Sequence, residues 1–209
     1  MKRSDRPEIP RKTVYRLSVY LRCLQRLRTN GIRTVSSEAL AKVAGVKPTQ
    51  LRKDLTYFGQ FGTRGLGYDV ETLARMITDL LGTNSLQPVV LVGVGNLGRA
   101  LLAYQGFMQE GFEVVGAFDA VVPRPAPKLA VPLEPMERLE TVIHERQVKM
   151  AIITVPAPAA QEVANRLVAG GITGILNFAP IVLHVPEEVM VSNVNLAIEL
   201  ENLSYFIHG

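Results

Sequence analysis

The apolar run Val89-Val90-Leu91-Val92 passes without a break into Gly93-Val94-Gly95-Asn96-Leu97-Gly98, and this junction constrains the fold more than any other part of the chain. A continuous apolar run suits a parallel strand buried on both faces. The glycines then predict a tight turn at Gly93, close approach of backbone to a ligand at Gly95, and close helix-strand packing at Gly98 where a helix opens. That helix is expected to reach about Glu110. Further strands are expected at Val114 to Phe118, Met150 to Val155 and Gly174 to Leu176, with helices over 136–146 and 159–169 between them. The alternation predicts a Rossmann-like, doubly wound parallel sheet with right-handed crossovers. The proline-rich 121–135 reads as an irregular connection.

A glycine fingerprint alone is a weak signal, and its setting makes it a strong one here. It follows a strand, opens a helix, and is followed about 20 residues later by Asp119 at the end of the next strand. The expected ligand is a dinucleotide, its pyrophosphate at the glycine turn and its adenosine ribose on Asp119, whose charge repels a 2′-phosphate and favours NAD(H) over NADP(H). Thr154-Val155-Pro156 and Asn177-Phe178-Ala179-Pro180 follow later strands and are expected at the carboxyl edge of the sheet. A lining of Val94, Val155, Pro156, Phe178 and Pro180 suits neutral dihydronicotinamide better than the cationic oxidised ring, because burying an unpaired charge is costly. The candidate cofactor-binding residues are therefore Gly93, Val94, Gly95, Asn96, Leu97, Gly98, Asp119, Thr154, Val155, Pro156, Asn177, Phe178, Ala179 and Pro180.

Upstream the rhythm is different. Val14, Leu17, Leu21, Leu24 and Leu27 recur at helical spacing among Arg16, Arg22, Arg26 and Arg28, until Asn30-Gly31 stops the helix. Ser36 or Ser37 can cap a second helix, and Gly45-Val46-Lys47 turns the chain into Pro48, which suits the first turn of a third. Helix, glycine turn, helix predicts a helix-turn-helix. Leu51 and Leu55 share the inner face of the third helix, leaving Thr49, Gln50, Arg52 and Lys53 toward solvent or a groove. From Phe58 to Tyr68 the glycines at 59, 62, 65 and 67 around Arg64 predict two short strands and a flexible tip, a wing. Asp69 is expected to cap a fourth helix with Val70, Leu73, Met76, Ile77, Leu80 and Leu81 inward, ended by Gly82.

Charge supports a division into modules. Residues 1–84 carry 16 Lys+Arg against 7 Asp+Glu, and residues 85–209 carry 7 against 12, so only the first module is suited to a polyanion. The expected domains are a winged helix over 1–84, a dinucleotide-binding domain over 85–194 and a C-terminal helix over 195–209. In that last helix Leu196, Leu200, Leu203, Phe206 and Ile207 form an apolar stripe fit for a dimer contact. The candidate DNA-binding residues are Arg16, Lys47, Thr49, Gln50, Arg52, Lys53, Tyr57 and Arg64.

Other classes find less support. No run reaches the ~18 apolar residues of a membrane span and no signal segment opens the chain, so a cytoplasmic location is expected. Cys23 is the sole cysteine and fits a packing role. His144, His184 and His208 stand in no acid-base motif, and no metal-ligand spacing is present, so no enzyme activity is expected. An NAD-dependent oxidoreductase with an accessory winged helix is the alternative, and a CoA-binding sheet a third.

The segment Gln50-Leu51-Arg52-Lys53-Asp54-Leu55-Thr56-Tyr57-Phe58-Gly59 with Gly65-Leu66-Gly67-Tyr68, the Gly93 to Gly98 fingerprint, and Gly174-Ile175-Leu176-Asn177-Phe178-Ala179-Pro180 together resemble the Rex family of redox-sensing transcriptional repressors. The resemblance spans almost the whole chain. It implies a homodimer that binds a palindromic double-stranded operator, binds NADH or NAD⁺, exchanges C-terminal helices between subunits, and leaves DNA when NADH closes it. Arg52 and Lys53 would then face the major groove and the wing around Arg64 the minor groove. A hinge network of arginine, tyrosine and aspartate maps to Arg22, Tyr104 and Asn195, so this chain departs from the pattern by an asparagine.

Overall fold

The computed structural model describes residues 9–59, 66–123 and 128–208. The chain forms two compact units, Met1–Ser85 and Leu86–Gly209.

The first unit runs α1 (Arg11–Thr29), β1 (Thr34–Val35), α2 (Ser37–Val43), α3 (Pro48–Thr56), β2 (Tyr68–Asp69) and α4 (Val70–Leu81). Ser36 rather than Ser37 caps α2, its hydroxyl accepting from the Ala39 N–H at 3.1 Å. Asp69 caps α4 by accepting from Thr72 N at 2.8 Å, and Gly82 ends that helix in the left-handed conformation. The core gathers Leu17, Leu21 and Leu24 from α1, Leu40 from α2, Leu51 and Leu55 from α3, and Leu73 and Ile77 from α4.

Two expectations change here. Val14 is exposed and Tyr20 takes its place in the buried stripe of α1. Met76 and Leu80 lie on the outer flank of α4, where Ala74 is buried instead. The expected two-stranded wing over 58–68 is described only at its ends: Phe58 sits in a turn after α3, and Tyr68–Asp69 pairs antiparallel with Thr34–Val35. Tyr68–Asp69 thus lies against the α1–α2 connection. The wing tip, including Arg64, lies outside the described residues.

The second unit contains β3 (Gln87–Val92), α5 (Asn96–Leu102), α6 (Gly106–Gln109), β4 (Phe112–Asp119), β5 (Leu133–Pro135), a 3₁₀ turn (Met136–Arg138) leading into α7 (Leu139–Glu145), β6 (Met150–Ile153), α8 (Ala157–Ala169), β7 (Gly174–Asn177), β8 (Met190–Asn193) and α9 (Leu196–His208). The six strands are all parallel, in the order β5-β4-β3-β6-β7-β8. The chain winds outward from β3 in one direction and then in the other, so the switch point lies between the carboxyl ends of β3 and β6. Alternation along β3 sends Val90 and Val92 to the face covered by α7 and α8, and Val89 and Leu91 to the face shared with Leu101, Leu102 and Phe107.

Strands β5 and β8 were not expected, and the helix expected to run to Glu110 is interrupted. Ala103 caps α5, and Gly106 starts α6 after the exposed Tyr104. A Cβ at position 106 would fall on the Tyr104 ring. That ring also stands edge-on to Phe107 at 5.2 Å.

Gly67 has φ +80°, and a Cβ there would lie 2.5 Å from the Val35 carbonyl oxygen. Gly31 has φ +73° with nothing within 4 Å. Gly67→Ala is expected to destabilise the first unit by about 2 kcal/mol and Gly31→Ala by about 1 kcal/mol, read from thermal or urea melts. Equal losses would show that the contact with β1 is not what requires glycine.

Candidate functional site

The crevice at the switch point is built around the glycine turn. Gly93 has φ +100°, and a Cβ on it would lie 2.8 Å from the Val155 nitrogen. A Cβ on Gly98 would overlap the Gly93 carbonyl oxygen, so α5 can start only where that residue has no side chain. Gly95, in contrast, has nothing within 4 Å of where a Cβ would stand, which leaves its backbone open to a ligand. The turn is held from three sides. Thr154 donates its hydroxyl to the Gly93 carbonyl at 2.6 Å, Asp119 accepts from Val94 N at 2.7 Å, and Arg99 donates to the Val94 carbonyl at 3.1 Å. The second oxygen of Asp119 accepts from Val121 N at 3.1 Å. Arg99 carries no sequence signal beyond its place after Gly98; its side chain leans back along the helix, as helical side chains do.

The other residues predicted for this edge divide. Val94 and Phe178 belong to the apolar cluster on one face of the sheet, and Val155 packs against the cluster on the other. Pro156 and Pro180 are exposed, and Asn96 and Leu97 are exposed on the first turn of α5. Asn177 is turned into the protein. It is fully buried, donating to the carbonyls of Ala179 and Ile181 and to Asn193 Oδ1, while its own Oδ1 accepts from Ala179 N. Its amide closes the loop after β7 and ties that loop to β8. Ala179 is likewise buried.

In the first unit one acid organises the surface expected to meet DNA. Asp54, on α3, is wholly buried. Arg16 grips it with two donors at 2.5 and 2.7 Å, Tyr20 donates its hydroxyl at 2.8 Å, Thr13 at 3.3 Å and Gln50 its amide at 2.8 Å. Burial pushes the carboxyl upward, but the hydrogen bonds from Arg16, Tyr20 and Gln50 and the Arg16 charge outweigh it and hold Asp54 below the usual carboxylate range. Tyr20 moves the other way: burial first, then its bond to Asp54, raise the phenol far above its ordinary value. Arg16 and Gln50 are thus turned inward at least in part. Arg52 is exposed and bridges Ser37 and Glu38 at 2.8 and 3.1 Å. Lys47, Thr49 and Lys53 are exposed, and Tyr57 is half-buried.

Asn195 accepts from Ala197 N and Ile198 N at 3.0 and 3.3 Å, capping α9. That helix buries none of its side chains within the chain, and Leu200, Leu203, Tyr205, Phe206 and Ile207 are all exposed. Cys23 is half-buried, its thiol pushed up by burial. Among the described residues no group of His, Cys, Asp and Glu could hold a metal ion, and no helix is long and apolar enough to cross a membrane.

A helix-turn-helix unit in one chain with a dinucleotide-type sheet defines the class of ligand-responsive transcriptional regulators. Residues 8–56 match the family described as putative DNA-binding protein N-terminus, and residues 84–181 match the CoA binding domain. The redox-sensing transcriptional repressor Rex of Pelotomaculum thermopropionicum is 50% identical over 200 residues, covering 95% of this chain and 93% of that protein. Rex of Carboxydothermus hydrogenoformans is 49% identical over 96% of this chain and 97% of its own. Among solved structures, RSP in complex with β-NAD⁺ and operator DNA is 36% identical with a TM-score of 0.90, covering 96% of this chain and 93% of its own. RSP in complex with β-NADH is 35% identical with a TM-score of 0.85, covering 96% and 95%. The chain belongs to the Rex family of redox-sensing transcriptional repressors.

Because Asp54 is held below its unfolded value of about 3.9, it stabilises the fold above that pH and ceases to do so as pH falls through its lower folded value. Asp54→Ala leaves Arg16 and Tyr20 without their acceptor and is expected to cost about 3 kcal/mol at neutral pH. The stability gap between wild type and Asp54→Asn should narrow as pH falls below about 4. A gap constant from pH 7 to pH 2, measured by urea unfolding, would show that the charge of Asp54 contributes nothing.

Proposed function

We propose that this chain is a repressor that holds palindromic operator DNA and releases it on binding NADH, so that its occupancy of DNA reports the NADH/NAD⁺ balance. The observation that carries the reading is that one relative similar along nearly the whole chain has been solved both with NADH and with NAD⁺ and operator DNA. The local geometry supports each half. Thr49, Arg52 and Lys53 are exposed on α3, whose inner face is fixed by Leu51, Asp54 and Leu55. In the second unit the backbone over Gly95 is open beside the Asp119 carboxylate.

In this reading the N–H groups of Gly95, Asn96 and Leu97 hold the pyrophosphate, since the Val94 N–H is taken by Asp119. Asp119 has lone pairs left for ribose hydroxyls, and its charge disfavours a 2′-phosphate. Asn177 is withdrawn into the loop, so the polar groups of that segment are already paired. Phe178, half-buried against the core cluster of Val94, offers apolar surface that suits the uncharged dihydronicotinamide ring. The bound dinucleotide supplies no chemistry; it is an effector whose differential affinity for two states sets the coupling. The repressor acts in the cytoplasm as a homodimer. The apolar α9, uncovered within its own chain, is exchanged with the second subunit. Two recognition helices then meet half-sites about 34–36 Å apart or a multiple.

NADH is expected to release the protein from a palindromic operator in a fluorescence-anisotropy titration, while NADPH and CoA at equal concentration do not. Release by CoA, or turnover of NADH with any substrate, would overturn the reading. A second measurement addresses the hinge implied by the family. Asn195→Asp keeps an equally good cap on α9 and adds one negative charge, which the helix dipole favours, so the helix is not weakened while NADH sensitivity rises. An unchanged NADH response would show that charge at this position plays no part.

A further inference from the structure

The recognition helix carries a polarity that its sequence does not display. Gln50 is the third residue of α3, in the part of a recognition helix that meets base edges when it docks in a major groove. Its amide lies 2.8 Å from Asp54 Oδ1. Asp54 already receives Arg16, Tyr20 and Thr13, and as a carboxylate it can only accept. The Gln50 atom facing it must therefore be Nε2, because turning the amide over would set an oxygen against a carboxylate oxygen at hydrogen-bond distance. Oε1 consequently faces away from Asp54. Gln50 is only half-buried, Oε1 accepts no hydrogen bond among the described residues, and no buried side-chain oxygen or nitrogen there lacks a partner, so Oε1 is open to solvent.

We infer that Gln50 reads one base in each half-site through Oε1 as a hydrogen-bond acceptor, and that Asp54 is the positioning residue that fixes this polarity. The inference rests on the operator-binding reading above. A free glutamine turns its amide either way, donating to the keto oxygens of guanine or thymine as readily as it accepts from the amino groups of adenine or cytosine. A glutamine anchored through Nε2 leads with its oxygen and favours an amino base. The neighbouring Arg52 and Lys53 can only donate, so α3 would present an acceptor at its start and donors one turn on.

The test uses operators selected by the full-length wild-type chain from a randomised palindromic duplex pool, followed by single-base variants at two salt concentrations. The wild type should prefer adenine or cytosine over guanine or thymine about five- to tenfold at one position of each half-site. Gln50→Ala should lose that preference at that position alone, with the salt dependence unchanged because no phosphate contact is removed. Asp54→Asn, whose amide can meet either end of that of Gln50, should narrow the same preference; if it does not fold, Gln50→Ala decides. A uniform loss across all variants, no change in base preference, a keto base at the affected position, or a folded Asp54→Asn with preference intact would each overturn the inference. Failure of the wild type to select any DNA would overturn the operator-binding reading and this inference with it.

Discussion

The carbonyl oxygen of Gly93 is the point on which the second unit turns. It accepts the Thr154 hydroxyl from the end of β6, and the start of α5 lies so close to it that only glycine fits at 98. Strand β3, helix α5 and strand β6 are thereby locked together at the position where the order of the sheet reverses. The next residue on, Val94, gives its N–H to Asp119, and the backbone over Gly95 is left open. A crevice in an open parallel sheet is a consequence of winding direction, and its shape here is a consequence of which atoms crowd one backbone oxygen.

Both modules were legible in the sequence because each is announced by local rules. A buried strand followed by spaced glycines has few alternatives, and a serine cap, a glycine turn and a proline at the start of α3 define the helix-turn-helix. Strands β5 and β8 escaped because edge strands need not be apolar: Leu133-Glu134-Pro135 and Met190-Val191-Ser192-Asn193 read as loop until a neighbour pairs with them. Asp54 and Tyr20 escaped for a related reason. A charged residue and a phenol on a helix read as solvent-facing, and apart from Gln50 the partners that make their burial affordable lie 34 to 41 residues away. Asn177 ends a strand at the carboxyl edge, and nothing in its local sequence signals that its amide closes its own loop.

The two ends of the chain show opposite solutions to the same problem. Near the N-terminus, α1 gathers Thr13, Arg16 and Tyr20 around a charge on α3, so the helices are joined by a bond set with a defined geometry as well as by leucines. Such a node transmits orientation, since sliding α3 by one turn would leave an ion unpaired. At the other end, α9 has a sound cap and no buried side chain. A helix of its length is marginal in water without tertiary contacts, so its stability belongs to whatever covers it. Stability in the first unit is thus internal, while α9 draws none from burial in its own chain.

Asp119 holds the Val94 and Val121 amides with its two oxygens, so the residue that would discriminate between nucleotides is also a brace of the loop that receives them. Selectivity and architecture therefore cannot drift independently at this position. A lineage moving toward a phosphorylated ribose that replaced the acid by a residue without an acceptor would remove one of the three supports of the turn at the same step. It would need a second change to re-anchor Val94. A preference for an unphosphorylated ribose would then be tied to the support of the turn as well as to the repulsion of a phosphate.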